Sequence, residues 1–125
     1  MSPCPFLIVV DSLDTLTAGE RGDIFQANRY FEIGNGLFRS GRYREALEQF
    51  EKGKLVTNKF PGNFFGVSMT AMQMIEVGAI SKDQIPYYLE KAEQNVDECL
   101  RIAPTHLDYL NAKKIIRDYK KKYHV

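Results

Sequence analysis

The chain has 125 residues, a length that suits one domain able to bury its own core without disulfides or metals. Hydrophobic residues make up 44% and charged residues 26%, and 17 Lys and Arg against 16 Asp and Glu leave a net charge of +1. This balance argues against a dedicated nucleic-acid binder, which is usually strongly basic. No apolar run reaches the 18 residues of a membrane-spanning helix.

Residues 1–22 differ from the rest of the chain and are interpreted as an N-terminal arm. Prolines near the start disfavour a helix, and the β-branched residues that follow suit an extended conformation. The apolar run of this arm consists of Phe6, Leu7, Ile8, Val9 and Val10. Residues 11–17 suit one or two helical turns, and residues 18–22 are predicted to form a loop.

The pattern becomes helical at Asp23, which is predicted to be the N-cap of a first helix because Gln26 follows at the capping-box position. The predicted buried face of this helix comprises Tyr30, Ile33, Leu37 and Phe38. Gly41 is predicted to end the helix in a left-handed conformation, and a second helix begins near Arg42. The predicted apolar stripe of the second helix comprises Tyr43, Ala46, Leu47, Phe50 and Leu55.

A turn over residues 58–62 precedes a third helix, predicted over residues 63–77 with Gly78 as its C-cap. One face of this helix carries Phe64, Val67, Ala71, Met72 and Ile75. Ser81 and Gln84 form another capping-box pattern, and Pro86 lies in the first turn of a fourth helix, where proline is tolerated.

The fourth helix is predicted to continue to about Ile102, and Pro104 prevents its extension. Its inward face is predicted to carry Leu89, Ala92, Val96, Cys99 and Leu100. Thr105 is predicted to cap a last helix that runs to about Lys122. The sequence thus predicts five helices.

The first and third helices match at a shift of 34 residues, since Tyr30 aligns with Phe64 and the small Gly34 with the small Ser68. This is the period of a tetratricopeptide repeat. Residues 30–53 resemble one repeat of that family. The residues that carry the resemblance are Tyr30, Gly34, Gly41, Tyr43, Ala46 and Phe50.

Two departures from the family pattern stand out. Gly53 replaces the usual alanine, which we expect to weaken the second helix by roughly 1 kcal/mol. Between Ile75 and Leu89 the second repeat is about twelve residues longer than the first. The sequence alone does not determine the path of residues 76–88.

The resemblance implies an all-α fold of antiparallel helix hairpins that form a short right-handed superhelix. One repeat spans residues 27–60, a divergent repeat spans residues 61–104, and a capping helix spans residues 105–122. Together they form a helical domain over residues 23–125, preceded by the arm.

In this family the first helices of successive repeats line a groove that binds peptides or helices. Carried over by position, the groove residues are Asn28, Phe31, Asn35, Phe38, Arg39, Phe65, Met69, Met72 and Gln73. For Phe38 and Met72 a place in the core is the favoured alternative, and Phe31, Phe65 and Met69 suit the core and the groove equally. The carboxylate clamp of chaperone-binding members needs a lysine at the position of Phe31, so chaperone-tail binding is not expected.

Two further surfaces are candidates for contacts. Lys113 and Arg117 stand one helical turn apart and suit either a bound carboxylate or a solvated helix face. The apolar run of the arm suits the groove of its own subunit, the groove of a neighbouring subunit, or a merely structural cover over the core.

Catalysis and metal binding find no support in the sequence. Cys4 and Cys99 are too far apart for a disulfide framework or a zinc site, and no serine, cysteine or carboxylate is spaced to form a triad with His106 or His124. We expect no cofactor. The few cysteines, and the lack of a glycosylation sequon or signal peptide, predict a cytoplasmic protein with free thiols.

The sequence therefore predicts a non-catalytic adaptor that binds a protein or peptide in the groove and is regulated by the arm. The alternative is a structural subunit in which the arm and the groove mediate self-association, for example as a homodimer.

Overall fold

The computed structural model describes residues 16–125. In this range the chain forms five α-helices and one turn of 3₁₀ helix at Lys82–Gln84, without a strand. The α-helices are α1 (Ala18–Arg39), α2 (Tyr43–Val56), α3 (Pro61–Glu76), α4 (Ile85–Ile102) and α5 (Leu107–Lys122). The prediction of five helices is confirmed. The predictions for Cys4 and for the apolar run at residues 6–10 lie outside the described residues.

Helix α1 begins earlier than the sequence pattern predicted. Its N-cap is Thr17, whose hydroxyl accepts from the backbone amide of Glu20 at 3.0 Å, while the Glu20 carboxylate accepts from the Thr17 amide at 2.9 Å. Asp23 as N-cap and residues 18–22 as a loop are therefore wrong. The earlier capping box has added support, because Glu20 also pairs with Lys59 from the α2–α3 connection at 3.1 Å.

Glycine ends both α1 and α3, as predicted. Gly41 has φ +79° and Gly78 has φ +71°, the left-handed region that glycine enters without strain. After α1, the amide of Arg42 donates to Leu37 O at 2.9 Å, and after α3 the amide of Ala79 donates to Met74 O at 2.9 Å. These are the bonds of a Schellman motif, and each turns the chain sharply into the next segment.

The buried face of α1 differs in part from the predicted one. The positions that pack inward follow a three-four spacing and are Ile24, Ala27, Phe31, Gly34 and Phe38. Leu37 is partly buried beside them, so Leu37 and Phe38 of the predicted face do pack on the core. Ile33 lies on the opposite side and is 52% exposed. Leu55 at the end of α2 was also predicted to be inward and is 88% exposed.

Helix α3 lies at the centre of the fold and is buried on most of its surface. It begins at Pro61, with Phe60 as N-cap, which shortens the predicted turn. Two buried polar side chains of α3 bond to neighbouring helices: Asn63 Nδ2 donates to Ala27 O of α1, and Ser68 Oγ donates to Ala92 O of α4, both at 2.9 Å.

The helices pack in sequence order. Helix α1 pairs with α2 and α3 pairs with α4, while α2 and α1 also pack against α3, and α5 packs against α4. Helices α1 and α3 are not consecutive along the chain, yet they pack against each other. No helix of the described part of the chain is long and apolar enough to cross a membrane.

The later helix boundaries agree with those predicted from the sequence, except for the N-cap of α5. Ser81 and Gln84 form the predicted capping box, Pro86 lies in the first turn of α4, and α4 ends at Ile102. The predicted cap of α5 is wrong, because the N-cap is His106, whose Nδ1 accepts from the Asp108 amide at 3.2 Å. Thr105 lies one residue too early to do so.

Candidate functional site

An aromatic cavity opens where α1, α2 and α3 meet. Its volume is about 240 Å³. The residues that line it are Phe31, Asn35, Phe38, Phe50, Phe65, Gly66, Met69 and Thr70. None of these described residues is charged, and the surface that they present to the cavity is almost wholly apolar.

The ring of Phe50 forms the wall that α2 contributes. It fits there because two glycines give it room: a Cβ at Gly34 would lie 2.7 Å from the ring, and a Cβ at Gly66 would lie 2.5 Å from it. Real Cβ atoms do not approach so closely, so α1 and α3 can flank this ring only without side chains at these positions. This is the physical role of Gly34, one of the residues that carry the repeat resemblance.

The aromatic walls hold one another in place. The ring centroid of Phe31 lies 6.0 Å from that of Phe50 and 5.8 Å from that of Phe60, the latter in an edge-to-face arrangement. On the other side, Phe65 packs against Tyr109 of α5 at 5.1 Å. Helix α5 therefore supports the wall that α3 contributes.

Two polar side chains accompany the rings. Asn35 lies on α1 and is half-buried. Thr70 on α3 is fully buried, and its hydroxyl has no hydrogen-bond partner within residues 16–125. A buried hydroxyl without a partner is costly for a protein, so this group is a functional candidate.

The structure brings five of the nine predicted groove residues together. Phe31, Asn35, Phe38, Phe65 and Met69 all line the cavity, as carried over from the repeat pattern. Phe38 is half-buried, so it can pack against the core and still present surface to the cavity.

The other four predicted groove residues do not line the cavity. Met72 is 8% exposed and belongs to the core, which was the favoured alternative for it. Asn28, Arg39 and Gln73 lie along the same two helices outside the cavity. Asn28 is further distinguished by a buried side-chain oxygen without a partner in the described structure.

Three lining residues were missed by the sequence analysis as site residues, namely Phe50, Gly66 and Thr70. Phe50 is predicted from the sequence as part of the apolar stripe of the second helix, and it does pack inward. Gly66 carries a usable signal, since an unexplained glycine inside a helix commonly marks close packing. Nothing in the sequence distinguishes Thr70.

Of the two residues predicted to contact a carboxylate, Lys113 and Arg117, the first is already engaged in ion pairs within the protein. Lys113 is already paired with Asp97 at 2.6 Å and with Glu93 at 3.1 Å, both on α4. Its role is therefore to join α5 to α4. Arg117 is exposed on α5.

Ion pairs fix the helices around the cavity. Glu51 of α2 lies 2.7 Å from Lys91 of α4 and 3.0 Å from Lys54. Partial burial opposes the ionisation of Glu51, but these two lysines outweigh it and lower its pKa. The pair with Lys91 links α2 to α4 across α3.

Comparisons of the chain with protein-family profiles, with curated proteins and with solved structures found no match. The fold and the aromatic cavity therefore carry the functional proposal.

Proposed function

We propose that this protein is a non-catalytic interaction module of the tetratricopeptide-repeat type, in which the aromatic cavity receives an apolar side chain from a partner peptide or helix. The observation that carries the proposal is the cavity itself, an apolar recess of about 240 Å³ formed by three helices. Binding pockets are typically concave, apolar and furnished with a few polar groups, as this one is with Asn35 and Thr70.

The packing supports the repeat assignment. Gly34 lies at the contact between α1 and α2, and Ser68, its counterpart 34 residues later, bonds to α4. Equivalent small residues thus allow close contact within each helix pair. The longer second repeat is accommodated by the 3₁₀ turn and by the start of α4, which lie between the two matched ends. The right-handed superhelix remains part of this proposal.

The composition of the cavity favours a peptide over a charged small molecule. Its described lining is uncharged, and its Phe and Met side chains form an adaptable apolar surface. Met69 is 38% exposed, so a partner can contact it without unfolding of the domain. Asn35 lines the cavity, and the repeat resemblance implies that its side chain hydrogen-bonds a bound peptide backbone.

Selection of peptides from a displayed random library on the full chain tests this function. Enriched peptides are synthesised, and their Kd values are measured by calorimetry for the wild type, Asn35→Ala and Met69→Glu. Leu55→Glu is the matched control, because Leu55 is 88% exposed and lies outside the cavity. Circular dichroism and thermal unfolding establish that each variant is folded.

We expect one-to-one binding that weakens at least about tenfold in Met69→Glu and is unchanged in Leu55→Glu, since a buried charge is unfavourable in an apolar site. Peptides that bind all variants equally would place the binding surface elsewhere. Failure to enrich any peptide would contradict the proposal.

A second candidate function is structural self-association, and α1 offers a specific observation in its favour. Its outer side exposes Phe25 at 59% and Ile33 at 52%, beside a recess of about 490 Å³. Such apolar side chains suit the surface of a second copy. Sedimentation over a range of concentrations, with Phe25→Glu as the variant, separates the two functions: a dimer lost in this variant supports self-association, and a monomer at all concentrations contradicts it.

Regulation by the arm stays a prediction, because its apolar run lies outside the described residues. Deletion of residues 1–15 tests it. An affinity for the selected peptides that rises on deletion supports competition for the cavity, and an unchanged affinity contradicts it.

A further inference from the structure

Five of the eight residues that line the aromatic cavity keep part of their surface exposed. They are Phe31, Asn35, Phe38, Phe65 and Met69, the last 38% exposed. A bound group can contact these side chains without unfolding of the domain. Three of them are phenylalanine rings and one is a thioether, and both kinds of group favour contact with a further aromatic ring.

The apolar run of the arm offers one such ring. Phe6 is the single aromatic residue in the sequence of residues 1–15, and no charged side chain occurs before Asp11. In an extended segment alternate side chains point to opposite sides, so Phe6 and Ile8 would share one side and Leu7 would lie on the other. The arm thus carries a phenyl ring on an uncharged, apolar stretch of sequence.

The volume of the cavity agrees with one phenyl ring. An apolar protein cavity of about 150 Å³ is large enough to bind benzene. The cavity of about 240 Å³ therefore accommodates the ring of one phenylalanine, and none of its described lining residues is charged.

The length of the arm allows this contact within one chain. Thr17, the N-cap of α1, follows Phe6 by eleven residues, and an extended segment of that length spans up to about 36 Å. Helix α1 rises about 1.5 Å per residue, so Phe31 and Phe38 lie about 21 and 32 Å along the helix from Thr17. Phe6 can therefore reach the cavity of its own subunit.

We propose that Phe6 of the arm inserts its ring into the aromatic cavity of the same chain, where it takes the place of a partner's side chain. The inference rests on the proposed function and specifies its ligand, a phenylalanine ring carried on an extended apolar segment. Tethering raises the effective concentration of such a segment to the millimolar range, so a weak contact suffices to fill the cavity. A partner then binds only in competition with Phe6.

NMR spectroscopy of the full chain tests the inference without a known partner. Methionine methyl groups are labelled with ¹³C, the Met69 resonance is assigned with Met69→Leu, and nuclear Overhauser effects to the ring of Phe6 are recorded. Phe6→Ala removes the ring, and Leu7→Ala is the matched control on a neighbouring apolar residue of the same run. Toluene, which mimics the phenylalanine side chain, is the probe for an open cavity, and thermal unfolding verifies that each variant is folded.

We expect the Met69 methyl group to show an Overhauser effect to the ring protons of Phe6 that is lost in Phe6→Ala and kept in Leu7→Ala. We also expect the Kd of toluene to be at least about 5-fold lower in Phe6→Ala than in the wild type, because the tethered ring no longer competes for the cavity. In Leu7→Ala the Kd of toluene is expected to equal that of the wild type.

Each other outcome overturns the inference in a different way. If Phe6 contacts Met69 only between chains, as a mixture of ¹³C-labelled Phe6→Ala and unlabelled wild type would show, the arm fills a neighbouring subunit's cavity and the structural function is favoured. If Phe6 shows no contact and toluene binds the wild type and Phe6→Ala with equal Kd, the cavity is open and the proposed function stands without the arm. If Phe6 shows no contact and neither toluene nor selected peptides bind at the cavity, both proposals are overturned.

Discussion

The ring of Phe50 lies directly against the backbone of Gly66, so close that a Cβ at this glycine would be 2.5 Å from the ring. Phe50 is 2% exposed, and the same Cδ1 and Cε1 atoms of its ring also lie against Gly34 of α1. One aromatic residue of α2 thus sets how closely α1 and α3 approach each other, and with it the width of the cavity.

Gly66→Ala is therefore expected to destabilise the fold by about 1–3 kcal/mol, because the added methyl group collides with a ring that has little room to move. Chemical denaturation gives the free energy of unfolding. Gly36→Ala is the control, since Gly36 is an exposed helical glycine with open space around its Cα. That variant is expected to gain up to about 1 kcal/mol from helix propensity. Equal effects of the two substitutions would contradict the packing argument.

The glycine at position 53 has a similar explanation. A Cβ there would lie 2.7 Å from Oδ1 of Asn63 and closer still to its amide nitrogen, which donates to Ala27 O. A glycine inside α2 weakens this helix, as expected from the sequence. Its lack of a side chain, however, leaves room for the buried hydrogen bond between α3 and α1.

A double-mutant cycle on this pair is expected to show a reversal of sign. Gly53→Ala alone destabilises by about 1–3 kcal/mol because it displaces the Asn63 amide. In an Asn63→Ala background the same change stabilises by up to about 1 kcal/mol, because the collision is gone and alanine favours a helix. The measurement is again denaturant unfolding of the four proteins. Additive effects would show that the two residues are not coupled.

The link between α4 and α5 is expected to depend on pH. A hydrogen bond from Lys120 and a further pair with Lys113 outweigh the opposing effect of partial burial and hold the pKa of Glu93 below its ordinary value of 4.5. Because the folded state keeps this carboxylate ionised to lower pH than the unfolded chain does, the stabilisation is complete above about pH 4.5 and is lost as the pH falls through the folded-state pKa.

Glu93→Gln is expected to destabilise the protein by about 1–2 kcal/mol at pH 7, and the difference from wild type shrinks below about pH 4.5. Free energies of unfolding across the pH range measure this. The exposed Glu48 of α2 provides the control variant Glu48→Gln, for which no comparable difference is expected. A difference that is independent of pH would mean that the carboxylate charge has no role.

Cys99 is expected to resist modification in the folded protein. Its side chain is fully buried beside Pro61, and burial, with a smaller contribution from the Glu98 charge, raises the pKa of the thiol well above its ordinary value. In a Cys4→Ser variant, a thiol reagent should react at least about 100-fold more slowly than it does in denaturant. A rapid reaction under native conditions would show that α4 does not stay packed on α3.

The sequence by itself determined the local features of the fold. The number of helices, the end of α4 and the turns at Gly41 and Gly78 depend on residues within a few positions of one another, and all were predicted. The capping box at Ser81 and Gln84 is of the same kind. The resemblance to a tetratricopeptide repeat also predicted five of the cavity residues as groove residues on two of the helices.

Only the tertiary structure decided which of the competing local patterns forms, both for the N-cap of α1 and for its buried face. Two capping patterns near the start of α1 were available, and the one at Thr17 and Glu20 has the added contact of Glu20 with Lys59, a residue distant in sequence. The buried face of α1 likewise depends on where α2 and α3 lie, which is why Ile33 is exposed and Phe31 is packed. The Thr70 hydroxyl, which has no hydrogen-bond partner within residues 16–125, has the same cause. Burial and hydrogen bonding in a packed interior are set by neighbours from other helices, and no periodicity along the chain encodes them.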